Sequence, residues 1–146
     1  MSKPFDAWNK KKKLIDGARP ISGFYFHERE VWWCSLGVNI GVETDGKHDN
    51  FERPVLILRK FNNEMFWGIP LTSKEKHGAY FQKIVCEQSE SWAALTQLKT
   101  YSAKRLLRKL GTISAEEFMD VKYRLVRFFI NEPLPFPEGV LGGRSR

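Results

Sequence analysis

The sequence predicts an α+β fold that is mainly β: a small barrel of five to six strands, with an N-terminal helical arm and a long C-terminal helix. Three observations carry this. Five short runs rich in β-branched and aromatic residues follow one another between Glu30 and Lys99, most of them divided by turn-forming stretches. Ser114 and Glu117 form an S-x-x-E capping box ahead of an apolar stripe. The chain has 146 residues, of which 42% are apolar and 14% aromatic, enough for the core of one ordinary domain.

Taken in order, residues 3–16 read as a short helix. Phe5, Trp8 and Ile15 share one side of it, the Lys10–Lys13 run continues around it, and Gly17 and Pro20 stop it. Residues 1–28 therefore form an arm, whose Lys run contacts a polyanion, pairs with an acidic protein partner, or is simply a solvated helix face. The strand runs are Val31–Leu36, Val55–Phe61, Met65–Leu71, Tyr80–Cys86 and Trp92–Lys99. Asn62-Asn63 is a tight turn between the second and third, and a further strand fits Lys109–Ile113. Trp32 and Trp33 cannot both face inward on a regular strand, whereas Trp67 and Trp92 suit the core. A long polar loop, Gly37–Phe51, carries an Asp45-Gly46 turn signal, and loops of this length are functional or disordered. In the C-terminal helix Phe118, Val121, Leu125, Phe128 and Phe129 make the stripe, and Pro133 ends it. Residues 29–131 are the barrel domain and 132–146 a flexible tail.

The charge balance narrows the partner classes. There are 24 Lys and Arg against 17 Asp and Glu, a net charge of +7, which puts polyanions first. The Lys99–Lys109 segment holds five cations and no acid. No apolar run is long enough to cross a membrane. The first 20 residues lack the apolar stretch of a signal peptide, and two cysteines fit a reduced compartment, so a cytoplasmic protein is expected. The chain lacks Cys-x-x-Cys, Gly-x-Ser-x-Gly, P-loop and dinucleotide fingerprints, and its three histidines are scattered. Neither a metal nor a cofactor is expected. The loop acids Glu43, Asp45, Asp49 and Glu52 show no metal-nuclease spacing.

Some residues suit work on a phosphate. Pro54 pushes Arg53 toward an extended conformation at the loop-to-strand junction, where it can grip a phosphate or pair with Glu52 or Glu30. Thr72 and Ser73 end a strand and open a basic loop with Lys74 and Lys76; they hold a phosphate or make a plain Ser/Thr turn. On a regular strand Gln97 and Lys99 project from one face, suited to a base edge and a phosphate. His48 lies in the long loop.

These pieces occur in an order that resembles the MazF/PemK family of toxin ribonucleases. The resemblance rests on Glu30-Val31-Trp32-Trp33, the glycine-bearing loop, Arg53-Pro54-Val55-Leu56, Pro70-Leu71-Thr72-Ser73, and the Gln97 strand followed by a helix. It spans about Glu30 to Ile130. It implies an SH3-like barrel that forms a homodimer, the toxin half of a bacterial toxin–antitoxin pair. It implies metal-independent cutting of single-stranded RNA, mRNA included, at short motifs, opposed by a cognate antitoxin. It places Arg53, Thr72 and Ser73 in the catalytic site and matches a family glutamine at Gln97. With the residue readings above, Glu52, Gln97, Lys99, Lys74, Lys76 and His48 are the expected RNA-binding residues. Thr96 stands where some members have an aspartate proposed as a base, Ala94 where some have a basic residue, and Glu52 where some have histidine. Glu52 and His48 are then the candidate bases. Two alternatives remain: a toxin of similar barrel that binds RNA or DNA, or poisons gyrase, without cutting RNA; and an SH3-like interaction module.

Overall fold

The computed structural model describes residues 2–18 and 25–130. Pro20, Pro133 and the tail 132–146 lie outside the described residues. Helix α1 (Phe5–Gly17) comes first, followed by strands β1 (Glu30–Ser35), β2 (Glu52–Lys60), β3 (Met65–Thr72), β4 (Phe81–Cys86) and β5 (Ser89–Ala94). After them come β6 (Lys99–Ser102), β7 (Leu106–Thr112) and helix α2 (Ala115–Phe129). The strands form one curled, antiparallel half-barrel sheet in the order β4-β5-β3-β2-β1-β7, with short β6 paired beside β3. The mainly β class, the flanking helices and the six-strand path agree with the sequence reading.

The expected strand Trp92–Lys99 is two strands. Leu95–Gln97 forms a 3₁₀ turn between β5 and β6, so Gln97 and Lys99 do not alternate along one strand face. Its neighbour explains the break. Strand β3 pairs with β6 through Met65–Gly68 and with β5 from Leu71, and the ladder lapses at Ile69 and Pro70. Proline supplies no ladder donor, and the adjoining chain turns there.

Period-two alternation distributes the apolar runs over two cores. On β2, Leu56 and Leu58 join Val31, Ile69, Leu71 and Ile84 beneath the Phe118, Val121 and Leu125 face of α2. Val55 and Ile57 face the other way, onto Phe26, Trp32, Phe66 and Tyr101. Each such side chain contributes about 1.5–3 kcal/mol by leaving water. Trp33 is the outward tryptophan of its pair, with the Arg108 guanidinium 4.9 Å from its ring centroid. Trp67 departs from the expected core position: it is exposed and edge-on to Phe61. The α2 stripe is buried only as far as Leu125, while Phe128 and Phe129 are exposed. The capping box is half formed. Ser114 Oγ accepts from Glu117 N at 3.1 Å, but the Glu117 carboxylate reaches instead to the Val85 amide on β4.

Two further contacts fix the ends of the central strands. Glu30 is buried at the start of β1 and accepts from His27 N, Trp32 Nε1 and Lys109. Arg105 donates to the Ser35 and Leu36 carbonyls, closing β1 where the long loop begins.

Candidate functional site

The β1–β2 loop is folded back on itself. The Leu36 and Gly37 amides both donate to Phe51 O, Gly46 N donates to Gly37 O at 2.7 Å, and Lys47 and Glu52 exchange two backbone bonds of 2.9 Å. Within the loop, Asp45 Oδ1 accepts from Asn39 N at 2.6 Å. Gly46 is required here: a β-carbon would lie 1.7 Å from the Phe51 carbonyl oxygen. Phe51 itself has φ +49°, a strained value for a bulky residue, held by its ring against Trp8 at 5.4 Å.

This loop, the ends of β2 and β3, and the β5–β6 turn enclose an open pocket of about 500 Å³. Arg53, Thr72, Lys76 and Gln97 line it, together with Thr44, Asp45, Lys47 and Thr96. Arg53 is half-buried and pairs with neither Glu52 nor Glu30. Its Nε donates to Asp45 O at 2.7 Å and its Nη1 to Leu71 O at 3.1 Å. Its Nη2 has no protein partner among the described residues. Burial pulls the Arg53 guanidinium below its usual value, while Asp45 and Tyr101 oppose the shift. Three cations and one carboxylate among the lining residues leave the pocket positive, as an anion requires.

The other expected site residues are placed as follows. Gln97 spends its amide on the loop: Oε1 accepts from Thr44 N and Nε2 donates to Val42 O, each at 3.1 Å. Thr72 Oγ1 accepts from Lys74 N, the Ser/Thr turn of the plainer reading, while the residue still faces the pocket. Ser73, Lys74 and His48 are exposed and outside the lining. Glu52 is next to Arg53 on an extended strand and so faces away from it, pairing with Arg108 at 2.8 Å. Lys99 also lies outside the lining, its ammonium 4.8 Å from the Tyr101 ring centroid; burial and Arg105 both lower its pKa. Thr44 and Lys47 were not picked out in sequence, since only the folded loop brings them to Arg53. Among the described residues no group of three His, Cys, Asp or Glu side chains is placed to hold a metal ion, and no helix is long and apolar enough to cross a membrane.

A curled half-barrel sheet with a basic pocket walled by its long β1–β2 loop defines the architecture. The chain belongs to the family of PemK-like, MazF-like toxins of type II toxin–antitoxin systems, whose model matches residues 27–129. MazF from Deinococcus radiodurans superposes with a TM-score of 0.62 at 15% identity, over 73% of this chain and 97% of that one. An endoribonuclease from a Mycobacterial species, in complex with its cognate antitoxin, gives 0.58 at 14%, over 76% and 100%. The Mycobacterium tuberculosis toxin MazF-mt6 gives 0.53 at 17%, over 69% and 96%. At these identities the likeness is one of fold. No curated protein matches the chain in sequence.

Proposed function

We propose that this chain is a metal-independent endoribonuclease, the cytoplasmic toxin of a bacterial toxin–antitoxin pair, cutting single-stranded RNA at a short sequence motif. One observation carries the reading beyond family membership. Arg53 is fixed by two backbone carbonyls at the pocket wall and keeps Nη2 for a ligand. A guanidinium held this way meets a phosphate without reorganising, which is the condition for stabilising charge as it develops.

The substrate supplies its own nucleophile. The ribose 2′-oxygen attacks phosphorus as its proton passes to water, the P–O5′ bond breaks, and the departing 5′-oxygen takes a proton from water, so one proton moves net from O2′ to O5′. The products are a 2′,3′-cyclic phosphate and a 5′-hydroxyl. Arg53 steadies the phosphorane charge, Thr72 and Lys76 hold phosphate oxygens, and the pocket walls fix the in-line geometry. Asp45 is the one carboxylate of the lining, and both its oxygens are bonded. The rate enhancement assigned to this site is therefore positional and electrostatic. A cognate antitoxin and a homodimer are the partners that family membership supports. The binding-only reading draws on Thr96, whose hydroxyl in the pocket wall is no base at neutral pH.

The test is cleavage of a long single-stranded RNA by purified protein in EDTA, with Arg53→Ala in parallel. Discrete cuts by the parent, lost in the variant although RNA still binds, support the enzyme. A 2′-deoxy substitution at the cut site must abolish cutting, and an unchanged rate there would sink the mechanism. RNA binding without cuts by the folded parent selects the non-cutting toxin.

A further inference from the structure

We infer that the N-terminal arm is part of the pocket: Lys3 and Trp8 are positioning residues that hold the Arg53 guanidinium through Asp45. The inference rests on the reading of Arg53 as the phosphate-gripping group. The family match begins at residue 27, after the arm.

Helix α1 has 13 residues and no side-chain N-cap. A helix that short is marginal in water unless something holds it. Trp8 provides the hold. It is buried at 6% exposure and sits over Gly37, where a β-carbon would come within 2.0 Å of its ring. Arg105 covers the ring from another side, 5.9 Å from its centroid. Lys11 adds a bond to Asn50 Oδ1 at 3.2 Å, while Lys10, Lys12 and Lys13 are the solvated face.

Lys3 reaches the same loop. Its ammonium meets Asn39 O at 2.8 Å, Gly41 O at 3.3 Å and Asp45 Oδ2 at 2.9 Å. Three acceptors match the three donors an ammonium carries. The Asp45 carboxylate also accepts from Asn39 N, and the Asp45 carbonyl accepts from Arg53 Nε at 2.7 Å. A continuous bonded path thus runs from the arm to the guanidinium. Gln97 holds the loop from the barrel side through Thr44 and Val42. The loop is pinned between the two.

The experiment compares full-length parent, Lys3→Met, Lys3→Arg and Trp8→Ala. NMR follows the Arg53 Nε–H and Asn39 amide resonances, and RNA cleavage gives kcat and KM separately. Lys3→Met and Trp8→Ala should shift both resonances and lower kcat by roughly 10- to 100-fold, the scale of a small misplacement at a reacting centre. Lys3→Arg should restore both. Unmoved resonances in Lys3→Met and Trp8→Ala, or an unchanged kcat, overturn the inference. If the parent cuts no RNA, the ribonuclease reading fails by itself, and the resonances alone decide whether the arm holds Arg53.

Discussion

Gly46→Ala tests the loop architecture with a single methyl group. The new β-carbon would lie 1.7 Å from Phe51 O, 2.1 Å from Phe51 C and 2.8 Å from Glu52 N. These are backbone atoms, so no side chain can swing aside. Ordinary carbon contacts begin near roughly 3.5 Å, so the two segments must part by nearly 2 Å. The Lys47–Glu52 bonds, each 2.9 Å, cannot survive that movement. Two such bonds are worth about 1–3 kcal/mol together, a large part of a stability of roughly 5–15 kcal/mol but not all of it. The variant should therefore fold, with a lower urea midpoint. Amide hydrogen exchange at Lys47 and Glu52 should accelerate, while the buried strands β2 and β3 stay protected. Asp45 sits one residue before the substitution and holds Arg53 Nε, so RNA turnover should fall with the loop. Parent-like stability together with parent-like exchange at Lys47 and Glu52 would refute the reasoning.

Two other outcomes follow from the charges. Burial raises the Glu30 carboxyl, but its bonds from Trp32, Lys109 and His27 outweigh that and leave it below the usual carboxylate range. A carboxyl lowered by folding contributes stability above its unfolded pKa and loses it as pH falls through the folded value. The parent's urea midpoint should thus drop below about pH 5. Glu30→Gln should be less stable at pH 7 and show a flatter acid limb; an equally steep limb would place the titration elsewhere. Glu52 faces away from Arg53; its nearly buried carboxylate accepts from the exposed Arg108 at 2.8 Å and from Asn50 Nδ2 at 3.3 Å, and neither partner lines the pocket. Glu52→Gln should keep RNA turnover within about fivefold of the parent, and a loss matching Arg53→Ala would make Glu52 the missing base.

The fold was legible where one period held over a whole element. Val55-Leu56-Ile57-Leu58 reads as a strand buried on both faces, and it divides between the two cores. The α2 stripe was legible through Leu125 and then misleading, because Phe128 and Phe129 continue the spacing where the described residues offer little cover. Trp92–Lys99 was illegible as two strands. Its own residues favour a strand throughout, and the break lies opposite Ile69 and Pro70 on the neighbour, more than twenty positions away. Glu117 was half legible: the capping motif is local, but the Val85 amide that takes its carboxylate belongs to β4.

The site follows the same division. Arg53 and Thr72 were legible because each sits at the end of a strand whose pattern fixes its position. Gln97 was legible as a residue and not as a contact, since its two loop partners depend on how residues 37–51 fold. That loop has no period to read. Its shape comes from contacts instead: Gly46 beneath the Phe51 carbonyl inside the loop, and Trp8 above Gly37 and Lys3 at Asp45 from far along the chain. The pocket is thus walled by segments far apart in sequence, the loop, the ends of β2 and β3, and the β5–β6 turn, while the arm bonds to the loop from behind. The positive charge belongs to the same arrangement. Much of the unbalanced Lys99–Lys109 segment is spent on structure: Lys104 on the Asp16 carbonyl, Arg105 on β1, Arg108 on Glu52 and Lys109 on Glu30. The cations that line the pocket are Lys47, Arg53 and Lys76, all from outside that segment. A charge run in sequence therefore pointed away from the pocket where folding gathers positive charge.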